Sequence, residues 1–136
     1  MAKQICLDTG IITLFLMENA PEKINTLFND IKSEKVTAYI VPPILTEVYK
    51  HICVAKGKDH AQNGIVIVLE RYPIQLVEIN KSLIIKAGEL KCQYRNELSY
   101  VDCFLLAFGL LNKIEIHSTE KEFPKIPSLK IIKYNF

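Results

Sequence analysis

The chain has 136 residues, 49% of them hydrophobic, and a formal net charge of +2, so one domain spanning 1–136 with a single sizeable core is the expectation. A balance so near neutral excludes an argument for nucleic-acid binding from net charge alone, and no apolar run approaches the roughly 18 residues of a membrane span. The opening MAKQICLDTG lacks the basic segment, apolar stretch and cleavage site of a secretory signal, which predicts a soluble, cytoplasmic protein with no membrane partner.

Residues 3–7 (KQICL) read as a short strand that Asp8, Thr9 and Gly10 break. IITLFLMEN at 11–19 then reads as a buried helix ended by Pro21. An amphipathic helix is predicted over 22–34, with Ile24, Leu27, Phe28 and Ile31 on one face. VTAYIV at 36–41 is a second strand. Pro42 and Pro43 mark a helix start, since proline is tolerated in the first turn. That helix runs to about Lys56 with Ile44, Leu45, Val48 and Ile52 inward, and Gly57 caps it. Asp59 is the expected N-cap of the next helix. The β-branched run IVIVL at 65–69 favours a strand by propensity, but the need for crossovers between strands makes it helix. IQLVEI at 74–79 is a third strand, followed by helices over 81–95 and 100–112. IEIHS at 114–118 and LKIIKY at 129–134 complete the strands. Strands alternating with helices predict a three-layer α/β/α sandwich around a mostly parallel sheet of four to five strands.

Cys6, Cys53, Cys92 and Cys103 form no CxxC pair, and no histidine spacing suits zinc. They read as free thiols, consistent with a reducing compartment.

Four acidic residues fall where an apolar run gives way to a turn or helix start: Asp8, Glu47, Asp102 and Glu120. Each also has an ordinary structural reading. Asp8 can be a helix N-cap. Glu47 can be a solvated acid near a helix start. Asp102 can close the capping box that Ser99 opens, and Thr119 with Glu122 has the form of another such box. Taken together they point elsewhere, because the crossover junctions of a parallel sheet converge beyond the carboxyl ends of its strands. Two unit charges about 4 Å apart repel by about 4 kcal/mol at an effective dielectric of about 20. A hard divalent cation with oxygen ligands, Mg²⁺ or Mn²⁺, removes that cost, and such a centre suits chemistry on phosphates.

The pieces ICLDTG, PPILTEVYK, LSYVDCFLLAFG and IHSTEKEF, in this order and spacing, resemble the PIN-domain family, and within it the VapC-type toxins of prokaryotic toxin–antitoxin pairs. The resemblance spans essentially the whole chain and implies a metal-dependent ribonuclease. Asp8, Glu47 and Asp102 match the first three acids of the family. Glu120, in the run Ser118, Thr119, Glu120, stands where the family usually has aspartate. Thr9 and Ser99 match supporting hydroxyl positions, and Glu122 is a rival for the fourth acid. By the same resemblance, Asp8 and Asp102 hold one Mg²⁺ or Mn²⁺, Glu47 and Glu120 complete its shell partly through water, and cleavage leaves 5′-phosphate and 3′-hydroxyl ends. An RNA substrate, an antitoxin and a homodimeric partner are implied as well. Antitoxin grooves are expected at the apolar segments 11–17 and 24–31.

For holding RNA, Lys50, His51, Lys56 and Lys58 near the Glu47 helix and Lys86, Lys91 and Arg95 before Ser99 can supply phosphate contacts. Tyr94 and Tyr100 can stack on bases. All have the plainer reading of a solvated or packed face. A different function class is a degenerate PIN-like module that binds RNA or protein without cutting, which the Glu120 substitution favours. A phosphoryl-transfer enzyme with Asp8 as nucleophile would want a second aspartate two residues on, where Gly10 stands.

Overall fold

The computed structural model describes residues 2–136, which form six helices and a five-stranded sheet. The order along the chain is β1 (Lys3–Leu7), α1 (Thr9–Leu16), α2 (Glu22–Lys32), β2 (Val36–Ile40), α3 (Pro42–Lys56), α4 (Lys58–Arg71), β3 (Gln75–Leu76), α5 (Lys81–Gln93), α6 (Tyr100–Asn112), β4 (Glu115–Ser118) and β5 (Ile131–Lys133). The sheet runs β3-β2-β1-β4-β5 with every pair parallel. Ile5 lies opposite Ala38 on one side and Glu115 on the other. Helices cover both faces, giving the three-layer α/β/α arrangement expected of the alternating pattern. The central strand is therefore apolar without alternation: Ile5, Cys6 and Leu7 are all fully buried.

Helical periodicity places the core correctly. Ile24, Leu27, Phe28 and Ile31 of α2 and Ile44, Leu45, Val48 and Ile52 of α3 are the buried residues of their helices. The β-branched run at 65–69 lies within α4, as expected, with Ala61, Gly64 and Val68 turned inward. Asp59, however, does not cap that helix. Gly57, at φ 95°, ends α3 and starts α4 as one residue, with no side-chain cap. A positive φ of that size is open to glycine, so a one-residue turn leaves Asp59 inside the first helical turn. Likewise α1 starts at Thr9 rather than 11, because Asp8 caps it, and it ends at Met17 before Pro21 is reached.

The third strand is far shorter than 74–79 suggested. Val77 N donates to Ile40 O, and there the ladder ends. Its partner strand runs into Pro42 and Pro43, which have no N–H to offer. The chain after Val77 instead turns to Asn80, whose side chain caps α5 through Leu83 N at 2.9 Å.

Part of the apolar excess of 11–17 and 24–31 packs inside the protein, while Leu14, Phe15, Leu16 and Met17 stay partly exposed. Phe15 stacks on Phe28 at 3.7 Å, and Tyr72 meets both edge-on. The exposed large apolar side chains lie on other helices, among them Val54, Val66, Ile84, Ile85 and Leu111. The four cysteines are free. Among the described residues no helix is long and apolar enough to cross a membrane.

β4 is wholly buried yet carries Glu115 and His117 on one face. His117 bonds Glu115 at 2.8 Å and the Tyr134 hydroxyl at 2.7 Å, while Lys3 and Lys130 pair with the same carboxylate. Burial pushes the Glu115 carboxyl up, but bonds from His117, Lys3 and Lys130 together hold it below the usual range.

Two helical glycines separate propensity from packing. A Cβ on Gly88 of α5 meets nothing within 4 Å, whereas one on Gly109 of α6 would stand 2.9 Å from Ile116 Cδ1 and 3.1 Å from Ile114 O. Gly88→Ala is expected to stabilise by up to about 1 kcal/mol. Gly109→Ala is expected to destabilise, since overpacking of about 1–3 kcal/mol outweighs the same gain. Urea midpoints of opposite sign test this, and a stabilised Gly109→Ala would refute the packing argument.

Candidate active site

β1 lies between β2 and β4, so the chain leaves it in one direction and returns on the other side. A crevice opens at the carboxyl end of such a strand. Asp8 is the first residue beyond β1. Its backbone N–H continues the ladder to His117 O, its Oδ1 accepts from Thr9 N at 2.7 Å, and its Oδ2 accepts from Ser118 Oγ at 2.5 Å. Ser118, at the end of β4, accepts in turn from Glu120 N at 2.9 Å. One buried hydroxyl thus ties Asp8 to the loop that carries Glu120.

Asp102 sits in the first turn of α6. Ser99 Oγ accepts from Asp102 N at 3.1 Å, and Asp102 Oδ2 accepts from Ser99 N at 3.3 Å, which is the capping box expected of S-x-x-D. Glu47 lies half-buried on α3, beyond the two prolines. Glu120 is exposed, and its Oε1 accepts from Lys121 N and Glu122 N. The box expected of Thr119 and Glu122 does not form, because no helix follows. The segment runs on in loop to β5, and Glu120 takes the donors that a first turn would have used.

The four acids share one field. Burial pushes the Asp8 carboxyl up to about 6, against the pull of Ser118 and Thr9 N, and the charges of Asp102 and Glu47 add to the rise. Burial likewise raises Asp102, opposed by its bonds to Ser99, with Glu47 and Glu120 raising it further. Among the described residues no lysine, arginine or histidine forms an ion pair with any of the four. Nor do three Asp, Glu, His or Cys side chains stand close enough to hold one ion. Asp8, Asp102 and Glu120 are instead each drawn onto local N–H donors, as mutually repelling charges in search of partners should be.

The donors fit a hard divalent cation in kind: carboxylate oxygens, with hydroxyls beside them. Two further observations agree. Thr9 Oγ1, next to Asp8, is buried with no hydrogen-bond partner, a state that costs about 1–3 kcal/mol. Gly10 leaves room that Thr119 occupies: a Cβ there would run into Thr119 Oγ1. The close approach brings the Glu120 loop against the start of α1.

The basic residues divide. Lys50 and His51 line a groove with Glu47. Lys56 lies nine residues on, about 13 Å along the helix, and Lys58 is in the next one. Lys86 pairs with Glu89. Lys91 is not free for phosphate: its Nζ donates to Leu98 O at 2.7 Å and Arg95 O at 3.0 Å and lies over the Tyr100 ring at 4.9 Å. It holds the loop that delivers Ser99. Tyr94 is packed against the core, whereas Tyr100 stays 70% exposed and open to a stacking partner. Ser118 and Lys91 are the residues whose roles sequence reasoning missed. A hydroxyl ending a short strand after Ile114 and Ile116 was the available sign of the first. The second left none.

A sequence model of the PIN domain matches residues 5–129. Among solved structures, VapBC2 from Rickettsia felis, bound to a DNA fragment from their promoter, is 16% identical with a TM-score of 0.77, covering 97% of this chain and 99% of that one. DNA-bound VapBC from Salmonella typhimurium is 19% identical with a TM-score of 0.71, covering 98% of each. VapC20 from Mycobacterium tuberculosis, a sarcin-ricin loop cleaving toxin, is 16% identical with a TM-score of 0.66, covering 85% and 87%. At such identities the likeness shows a common fold. No curated protein sequence matches significantly.

The Asp8 shift has a definite sign. Its folded value of about 6 lies above the ordinary 3.8, so the native state holds the proton more tightly. Its contribution to stability is full below about pH 4 and is lost as pH rises through about 6, on the order of 1–3 kcal/mol. Asp8→Asn, in chelator, should therefore gain stability over wild type between these values and keep the gain above them. Denaturant titrations across this range test it. A variant less stable than wild type at neutral pH would make Asp8 a helix cap and nothing more.

Proposed function

The chain belongs to the PIN domain family, and from that premise we propose that it is a divalent-metal-dependent endoribonuclease, the toxin of a toxin–antitoxin pair. The observation that carries the reading is a buried Asp8 at the carboxyl end of the central strand, raised by burial first and then by the charges of Asp102 and Glu47, and paired with no cationic side chain.

Asp8 and Asp102 would hold Mg²⁺ or Mn²⁺, with Glu47 and Glu120 completing the set. Glu120, rather than Glu122, is favoured as fourth acid because its charge reaches Asp102. A cation held there would polarise a phosphate oxygen and lower the pKa of a bound water, so that hydroxide would be available to attack phosphorus. The chain's own residues do the positioning. Ser118 and Thr9 N fix the Asp8 carboxylate, Ser99 fixes Asp102, and Lys91 fixes the loop before Ser99. The unpartnered Thr9 hydroxyl is a ready donor or acceptor for water in the site. The VapBC pairs among the structural relatives support an antitoxin for this chain. The exposed apolar side chains of α5 support a homodimer.

The degenerate binding module keeps one observation in its favour: Glu120 is turned onto its own loop. Binding of Mn²⁺, read by calorimetry, separates the two readings, since a dead site takes no ion.

The test of function is incubation of the purified protein with total RNA, with and without Mg²⁺ or Mn²⁺, followed by sequencing of the new 5′ ends. Cuts bearing 5′-phosphate are expected only with metal. Asp8→Asn and Asp102→Asn should each slow cutting at least about a hundredfold, since even residues behind metal ligands cost about 10- to 100-fold. Cutting that persists in chelator, or in both variants, would refute the assignment.

A further inference from the structure

A groove of about 570 Å³ adjoins the acidic residues and shares Glu47 with them. Its floor is apolar: the rings of Pro42 and Pro43 at the start of α3, Ile79 before α5, and Val101 in the first turn of α6. Its rim is polar, formed by Thr46, Glu47, Lys50 and His51 on successive turns of α3. Ile79 is 39% exposed there, with no side chain covering that share of its surface. Among the described residues neither Lys50 nor His51 is held in an ion pair.

Resting on the ribonuclease reading, we propose that this groove is a nucleobase subsite, taking one unpaired base of the RNA strand next to the bond that is cut. Proline rings and branched aliphatic side chains offer an apolar surface against which the face of a base can be buried. Lys50 and His51, a turn further along α3 than Glu47, offer donors to the adjoining phosphate, while Glu47 is the one acid in the lining. Val101 is the residue before Asp102, and Glu47 belongs to both places, so an occupant of the groove lies beside the carboxylates rather than remote from them. Pro42 and Pro43 have no N–H groups, which leaves the Thr46 hydroxyl, the Glu47 carboxylate, the Lys50 ammonium and the His51 ring as the groups able to reach a base edge. The subsite grips a base chiefly by its face.

The test uses two labelled single-stranded probes of equal length and charge: a uridine dodecamer and the same ribose-phosphate chain without bases. Anisotropy titrations in Ca²⁺ give affinity independently of cutting. Wild type should bind the uridine probe more tightly, by about tenfold, as expected for burying on the order of 60 Å² of apolar surface. Ile79→Ser and Val101→Ser, each checked for an unchanged melting profile, should lose most of that difference and bind the baseless probe as wild type does. Lys50→Ala should weaken both probes alike and lower the salt dependence by about one charge. The proposal is overturned if both serine variants bind the uridine probe as wild type does. In that case the groove serves a protein partner or none, and metal-dependent cutting, measured separately, still stands. Binding of neither probe, together with no cutting, would remove the subsite and the ribonuclease reading at once.

Discussion

Burial of an ionisable carboxyl group without a cationic side chain is the constraint around which this protein is arranged. Asp8 cannot move away from the core, because its own backbone N–H completes the ladder between the two central strands. Its side chain must therefore find partners where it stands, and it finds two donors, Ser118 Oγ and Thr9 N. These leave the carboxyl raised. The same tension recurs, in milder form, at Asp102. A fold selected for stability alone would have placed an amide or an arginine there. On the proposed reading, several acids retained in one field mark a place kept for something positively charged.

The scaffold makes that place by ending its strands early. The second strand gives way to two prolines just as the third would have lengthened beside it, so the sheet stops and helix starts gather at its edge. Close approach of Thr119 to Gly10 then folds the loop after the fourth strand against the first helix. Sheet termination, helix capping and the gathering of acids are thus one event seen from three sides.

Much of this was legible in the residues. The inward faces of the second and third helices follow from spacing alone, and the run at 65–69 was decided correctly by connectivity over β-branched propensity. Asp8, Glu47 and Asp102 stood out because they interrupt apolar segments. What was not legible depended on partners distant in sequence. The third strand's length was set by prolines on its neighbour. The loop after the fourth strand carries the letters of a capping box but no helix to cap. Lys91 looks like any surface lysine until its ammonium group is seen holding two carbonyls of the following loop. Within the apolar surplus of the first two helices, Phe15 and Phe28 pack with Tyr72 in a cluster that no periodicity plot assigns.

The reciprocal bonds between Ser99 and Asp102 carry a consequence of their own. They let the sixth helix stand complete while its acid is otherwise unengaged, so the chain can finish folding before any metal arrives. On the proposed reading, an ion can be held by the free Oδ1 of Asp102 while Oδ2 keeps its backbone amide. Arrival and departure of the ion then leave the start of the helix sealed in both states.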